Sequence, residues 1–183
     1  MLFRSTINAG GIVDGAGYLP RVTSGGIASV FGLNLATSIT DASKVPLPTT
    51  LAEASVRLNG IAAPLFFVSP QQINFQVPWE LVAQPAVLLT VSVSGTTSSA
   101  SQLTLPSYAP GLFSINASGR GQGAILISGT GGGLAAPAGT ASLSRPVRPG
   151  EFIEIYASGL GPVTNQPATG AVTPGSQIGR AHV

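Results

Sequence analysis

Apolar and polar residues alternate with a period of two through several short runs of this chain, and turn-forming residues separate the runs. In Ile27–Leu33, Ile27, Ser29 and Phe31 share one face while Ala28 and Val30 share the other. In Ala54–Leu58, Val56 and Leu58 point inward and Ser55 and Arg57 outward. Asn59-Gly60 follows, and both residues tolerate a positive φ, which predicts a two-residue hairpin turn. The returning strand covers residues 61–68, with Pro64 marking an edge position or a bulge. Ser69-Pro70 turns the chain again. Residues 72–77 set Ile73, Phe75 and Val77 against Gln72, Asn74 and Gln76. In Ala86–Val93, Val87, Leu89, Val91 and Val93 lie on one face; Ser94-Gly95 is a turn, and residues 97–105 close the set. Strands at this spacing predict an all-β protein with a β-sandwich over residues 24–106.

The pattern weakens on either side. Residues 1–23 carry Gly10, Gly11, Gly15 and Gly17, which leaves room for only a short lead-in strand. Residues 36–50 read as a loop punctuated by Pro46 and Pro48, with Asp41 and Lys44 as solvated charges. Beyond Pro106, two short apolar strands stand out, at residues 123–128 and 151–157, around the loop 129–139.

The second of these strands belongs to an internal repeat. SGGIASVFGLNL, from Ser24 to Leu35, lies over PGEFIEIYASGL, from Pro149 to Leu160, without a gap. Gly25 meets Gly150, Phe31 meets Tyr156 and Leu35 meets Leu160. Residues 107–177 are therefore expected to be a linker and a second β module that lacks most of its sheet. A lone apolar strand cannot bury itself, so this segment is expected to be loosely packed or to dock onto the first domain. Its strand EFIEIYA would present an exposed edge and an aggregation hazard.

The end of the chain carries its own expectation. Residues 178–183, IGRAHV, can be encoded by ATC GGA AGA GCA CAC GTC, which resembles the start of a sequencing adapter. That reading makes the tail a sequencing artefact and removes His182, the one histidine; the alternative is a genuine polar tail.

Composition narrows the function classes. Charged residues make up 8% of the 183, against about a quarter in an average domain. The formal charge of +2 is scattered, and no two basic residues lie closer than Arg145 and Arg148. Such a chain has no stripe to neutralise phosphates, so no nucleic-acid partner is expected. No apolar run approaches the roughly 18 residues needed to span a bilayer, so no membrane insertion is expected. The opening MLFRST has no apolar core of a signal peptide. The absence of cysteine excludes disulfides, zinc-thiolate sites and thiol catalysis.

Candidate chemistry is sparse. The carboxylates are Asp14, Asp41, Glu53, Glu80, Glu151 and Glu154. A glycosidase needs two acids across a sugar, whereas Glu151 and Glu154, three apart on a strand, face opposite sides. With His182 set aside in the adapter-like tail and no cysteine present, Ser-His-Asp and Cys-His sites cannot be built, and a Ser-Lys pair would depend on Lys44, the one lysine. Residues 129–133 are glycine-rich but lack the Gly-Lys-Ser/Thr ending of a phosphate loop. Asp14 among its glycines is isolated from the other oxygen ligands that calcium would require. No catalytic, cofactor or metal residue is therefore assigned, and the chain reads as no enzyme. Asn116-Ala117-Ser118 has the form of a glycosylation sequon. Trp79, the one tryptophan, reads first as a cap on the sandwich end and second as a sugar-stacking platform. The uncharged face of Gln72, Asn74 and Gln76 is the best candidate for carbohydrate contact, although a solvated sheet face is the plainer reading.

Several of these residues carry a family likeness. An opening strand ending in Gly32, Asn34 and Leu35, a hairpin around Val56 to Gly60, a strand ending in Val77-Pro78, and the V-x-V of Val91 and Val93 resemble the IPT/TIG type of immunoglobulin-like domain. The phrases LPTTL, APLFFVSPQQINFQVPWEL, APGLF and EFIEIYASGLGPV resemble an uncharacterised C-terminal region of large extracellular proteins of soil bacteria. The resemblance implies a secreted or surface location and a non-catalytic structural or interaction module. Its partners would be neighbouring domains of the same polypeptide. The alternative is a carbohydrate or cell-wall binding module that contacts polysaccharide or a cell surface.

Overall fold

The computed structural model describes residues 4–172. Residues 1–3 and the adapter-like tail at 178–183 lie outside the described residues. The protein is all-β, with antiparallel sheets. Its first strands are β1 (Thr6–Asp14), β2 (Ile27–Leu33), β3 (Thr40–Asp41), β4 (Ala54–Leu58) and β5 (Ile61–Ala62). They are followed by β6 (Leu65–Val68), β7 (Gln72–Gln76), β8 (Ala86–Val93), β9 (Thr96–Thr97) and β10 (Ser101–Thr104). One sheet has the order β1-β2-β7-β6-β3, and the other β10-β8-β4-β5 with β9 appended to β8.

The inward faces of both sheets meet in one core. Ala28, Val30, Leu65, Ile73 and Phe75 come from the first sheet, and Val56, Leu58, Leu89 and Val91 from the second; all are fully buried. The alternation that predicts these strands also selects which side chains reach the core. Burying each of the larger ones removes apolar surface worth about 1.5–3 kcal/mol from water. The hairpin turn forms as expected: Asn59 and Gly60 take φ of 48° and 82°, and Leu58 pairs with Ile61. Ser94 and Gly95 repeat this geometry between β8 and β9.

Four details depart from the sequence expectation. Residues 61–68 are not one strand: β5 belongs to the second sheet and β6 to the first. The chain crosses at Ala63-Pro64, where the Ala63 N–H donates to the Val56 carbonyl and the Pro64 carbonyl accepts from the Gln76 N–H. Proline, with no N–H of its own, suits a point where the chain leaves one ladder for another. Residues 97–105 likewise divide, because Ser98 turns inward and its hydroxyl accepts from the Val91 N–H at 3.1 Å. The supposed loop 36–50 contains β3, which pairs with β6.

The fourth departure is larger. The glycine-rich start is no brief lead-in: β1 runs for nine residues along β2. Between Ile7 and Ile12 the register shifts, with Gly10 at φ 68°. The glycine there shapes a bulge inside the strand instead of ending it.

The remaining chain forms two small sheets. β11 (Gly111–Leu112) pairs with β14 (Ala157–Ser158), and β12 (Ile125–Ile127) pairs with β13 (Ile153–Ile155). Their registers reproduce those of β1 and β2. Thr6 pairs with Leu33 as Gly111 pairs with Ser158, and Ile12 pairs with Val30 as Ile125 pairs with Ile155. Asp14 pairs with Ala28 as Ile127 pairs with Ile153. The bulge of β1 corresponds to the longer excursion over residues 113–124. The left-handed residue after the strand also recurs, as Asn34 at φ 55° and Gly159 at φ 75°. The repeat thus extends from one strand to a strand pair.

This second unit docks on the first. The Ser158 hydroxyl accepts from the Ile27 N–H at 2.8 Å, and the Thr23 hydroxyl donates to the Ser107 carbonyl at 3.1 Å. Farther along, Leu47 N–H donates to the Gly170 carbonyl at 2.9 Å. The outer strand stays open: Ile153 and Ile155 are 45% and 52% exposed.

Candidate functional site

A large cleft lies where the two units meet. Its volume is about 810 Å³, within the range of small-molecule sites. Gly25, Gln76 and Trp79 line it from the sandwich, and Ser158, Thr164 and Asn165 from the docked segment. Among the described residues, no charged side chain lines it.

Trp79 sits in a single 3-10 turn, Trp79–Leu81, just after Pro78 ends the β7 segment. Its benzo ring rests on the backbone of Gly25. A Cβ added at Gly25 would stand 2.0–2.3 Å from the ring carbons, and Gly25 has φ 76°, so both contact and conformation call for glycine. The Trp79 N–H of the backbone donates to the Thr169 hydroxyl at 3.1 Å, and that hydroxyl donates to Glu80 at 2.8 Å. The ring is half-buried, and its Nε1 is buried with no hydrogen-bond partner among the described residues. These contacts make Trp79 a cap on the sandwich end and a wall of the cleft at once.

The amide face is less open than its sequence suggests. Asn74 Oδ1 accepts from the Ser29 hydroxyl and from Gln72 Nε2, both at 2.8 Å. Gln76 Oε1 accepts from the Gly170 N–H at 2.7 Å. Much of the capacity of Gln72, Asn74 and Gln76 is therefore spent within the protein. Only Gln76 of the three lines the cleft with Trp79.

Each buried or paired carboxylate has a structural task. Asp14, 4% exposed, ends β1 by accepting from three backbone N–H groups: Ala16 at 3.0 Å, Gly17 at 2.5 Å and Leu19 at 2.8 Å. A side chain with two oxygens so committed closes a turn. Glu53 accepts from the Ser94 hydroxyl. Glu151 precedes β13 and makes a two-pronged pair with Arg145, at 2.5 and 2.8 Å. It also accepts from the Arg148 N–H at 2.7 Å. Those hydrogen bonds, the Arg145 one foremost, hold its carboxyl down at about 2, and raise the Arg145 guanidinium above its ordinary value. Asp41 and Lys44 are exposed. No group of three or more potential metal ligands converges among the described residues. Asn116 is exposed, and its Oδ1 accepts from the Ser118 hydroxyl at 2.7 Å.

The sequence singled out Trp79 and Gln76 separately. It gave no signal for Thr164, Asn165 or Thr169, which lie in an irregular polar segment and acquire a role only by docking. Set beside known proteins, the chain matches no family, no curated protein and no solved structure.

Proposed function

We propose that this chain is a non-catalytic, immunoglobulin-like module of the IPT/TIG kind, which spaces and presents neighbouring domains of a larger secreted bacterial protein. The family assignment and the location rest on the sequence resemblance. The observation that carries the non-catalytic reading is the use of the acids: Asp14, Glu53, Glu80 and Glu151 each hold local backbone or a neighbouring side chain. None of them lines the cleft between the two units. Incubation with panels of glycoside, ester and peptide substrates is expected to give no turnover. Turnover that disappears on replacing any one carboxylate would overturn the reading.

A second reading is supported by the cleft, where an aromatic ring and uncharged hydrogen-bonding groups converge. Such a lining suits a neutral polyhydroxylated ligand, as in a carbohydrate-binding module. Trp79 is the one tryptophan, so its fluorescence reports directly on occupancy. Quenching by a polysaccharide, lost in Gln76→Ala, would support this reading, and an unchanged spectrum across a glycan panel would remove it.

A further inference from the structure

Among the described residues, the outer edge of β13 is an unfilled strand position. The Phe152 carbonyl accepts from Ser128, and the Tyr156 N–H donates to Ala124. Hydrogen-bonded pairs alternate along an antiparallel ladder, so Glu154 also bonds toward β12, while the N–H and C=O groups of Ile153 and Ile155 point the other way. Among the described residues, β13 pairs with β12 alone. The far edge of β12 is by contrast occupied: Ile127 N–H donates to Gly133, and Ala135 N–H donates to Ile125.

The repeat identifies what fits there. In the first unit, the residues matching Ile153 and Ile155 are Ala28 and Val30, and they pair with Phe75 and Ile73 of β7. Both are fully covered, whereas Ile153 and Ile155 remain about half exposed. An added strand would supply the missing ladder and shield those two side chains along one flank.

We propose that the β13 edge binds one extended polypeptide strand, antiparallel to β13, whose residues alternate amide and apolar side chains in the manner of Gln72–Gln76. The match in register between the two units supports this occupant, independently of the family resemblance and of any ligand in the cleft. Glu154 would stand opposite an amide, as Ser29 stands opposite Asn74. The occupant's two apolar residues would lie beside Ile153 and Ile155.

The test is a titration of the isotopically labelled chain with a synthetic peptide of the sequence SPQQINFQVP, followed by amide resonances and hydrogen exchange. The expected result is slowed exchange at Ile153 and Ile155 with no change at Ala28 and Val30. A peptide with serine at both apolar positions of QINFQ should have no effect. Ile155→Pro removes an outward N–H without touching the ladder to β12, and should abolish the protection. Ile155→Lys, which keeps the N–H but not the apolar contact, should weaken it. Retained protection at Glu154, whose groups bond toward β12, reports that the small sheet is intact in both variants. The proposal is overturned if the peptide leaves Ile153 and Ile155 unchanged, or if protection persists in Ile155→Pro. It is also overturned if the same amides are protected without peptide in a concentration-dependent dimer, since a second copy would then be the occupant.

Discussion

β2 and β13 carry the same pattern to opposite ends. In β2, Ala28 and Val30 lie between β1 and β7 and against the second sheet, and neither has any exposed surface. In β13, Ile153 and Ile155 hold the matching positions with larger side chains, yet both are open to solvent. Apolar alternation therefore specifies which face a strand offers. Whether that face is buried depends on the strands that arrive beside it and across from it.

The largest effect should come from the core that β2 helps build. Phe75→Ala empties a fully buried site and is expected to cost about 3–5 kcal/mol in urea denaturation. Ile155→Ala, at the half-exposed position, should change stability by no more than about 0.5 kcal/mol. Similar losses at the two sites would break the contrast.

The two repeat glycines sharpen it further. Both have positive φ, 76° at Gly25 and 89° at Gly150, so alanine strains either by about 1–2 kcal/mol. Only Gly25 also meets the Trp79 ring; a Cβ at Gly150 meets open space. Gly25→Ala should therefore cost an additional 1 kcal/mol or more, roughly, and shift the Trp79 emission. Gly150→Ala should leave the emission unchanged.

Asp14 supplies an intermediate effect. Asp14→Ala leaves three backbone N–H groups without their acceptor and should cost about 1–3 kcal/mol. Asp14→Asn keeps one acceptor oxygen and should cost less. The smallest effect belongs to the half-buried Arg145–Glu151 pair. Its carboxyl is lowered from the ordinary 4.5 to about 2, so its contribution is complete above 4.5 and fades as the pH falls toward 2. The Arg148 amide resonance should follow that titration, and Arg145→Ala should move its midpoint upward. A midpoint that stays near 4.5 in the unaltered chain would show that the pair does not form in solution.

Much of the sandwich was legible because single residues carried decisive chemistry. Asn59-Gly60 selected its own turn, and Ile73, Phe75 and Val77 alternated cleanly with amides. β1 was hidden because glycine normally interrupts a strand, and here it forms a bulge. The split at Ala63-Pro64 was hidden because a strand that changes sheets keeps one continuous apolar pattern. The cleft was only half visible: Trp79 stood out as a lone aromatic, but Thr164 and Asn165 reach it through tertiary contacts that no local period encodes. The recurrence of Gly25 and Leu35 at Gly150 and Leu160 revealed the repeated strand. β12 was legible as the apolar run at residues 123–128, but β11, and the pairing of both with the repeated strand, were obscured by the excursion over residues 113–124, which breaks the spacing seen in β1.

The most direct measurement is native-state hydrogen exchange, read at matched positions of the two strands. The Ala28 and Val30 amides should exchange only through global unfolding, with the slope in denaturant of the whole sandwich. The Ile153 and Ile155 amides should exchange rapidly and independently of denaturant, because their N–H groups face an open edge. Equal, global protection at all four positions would contradict the account, and would mean that the second strand is as fully enclosed as the first.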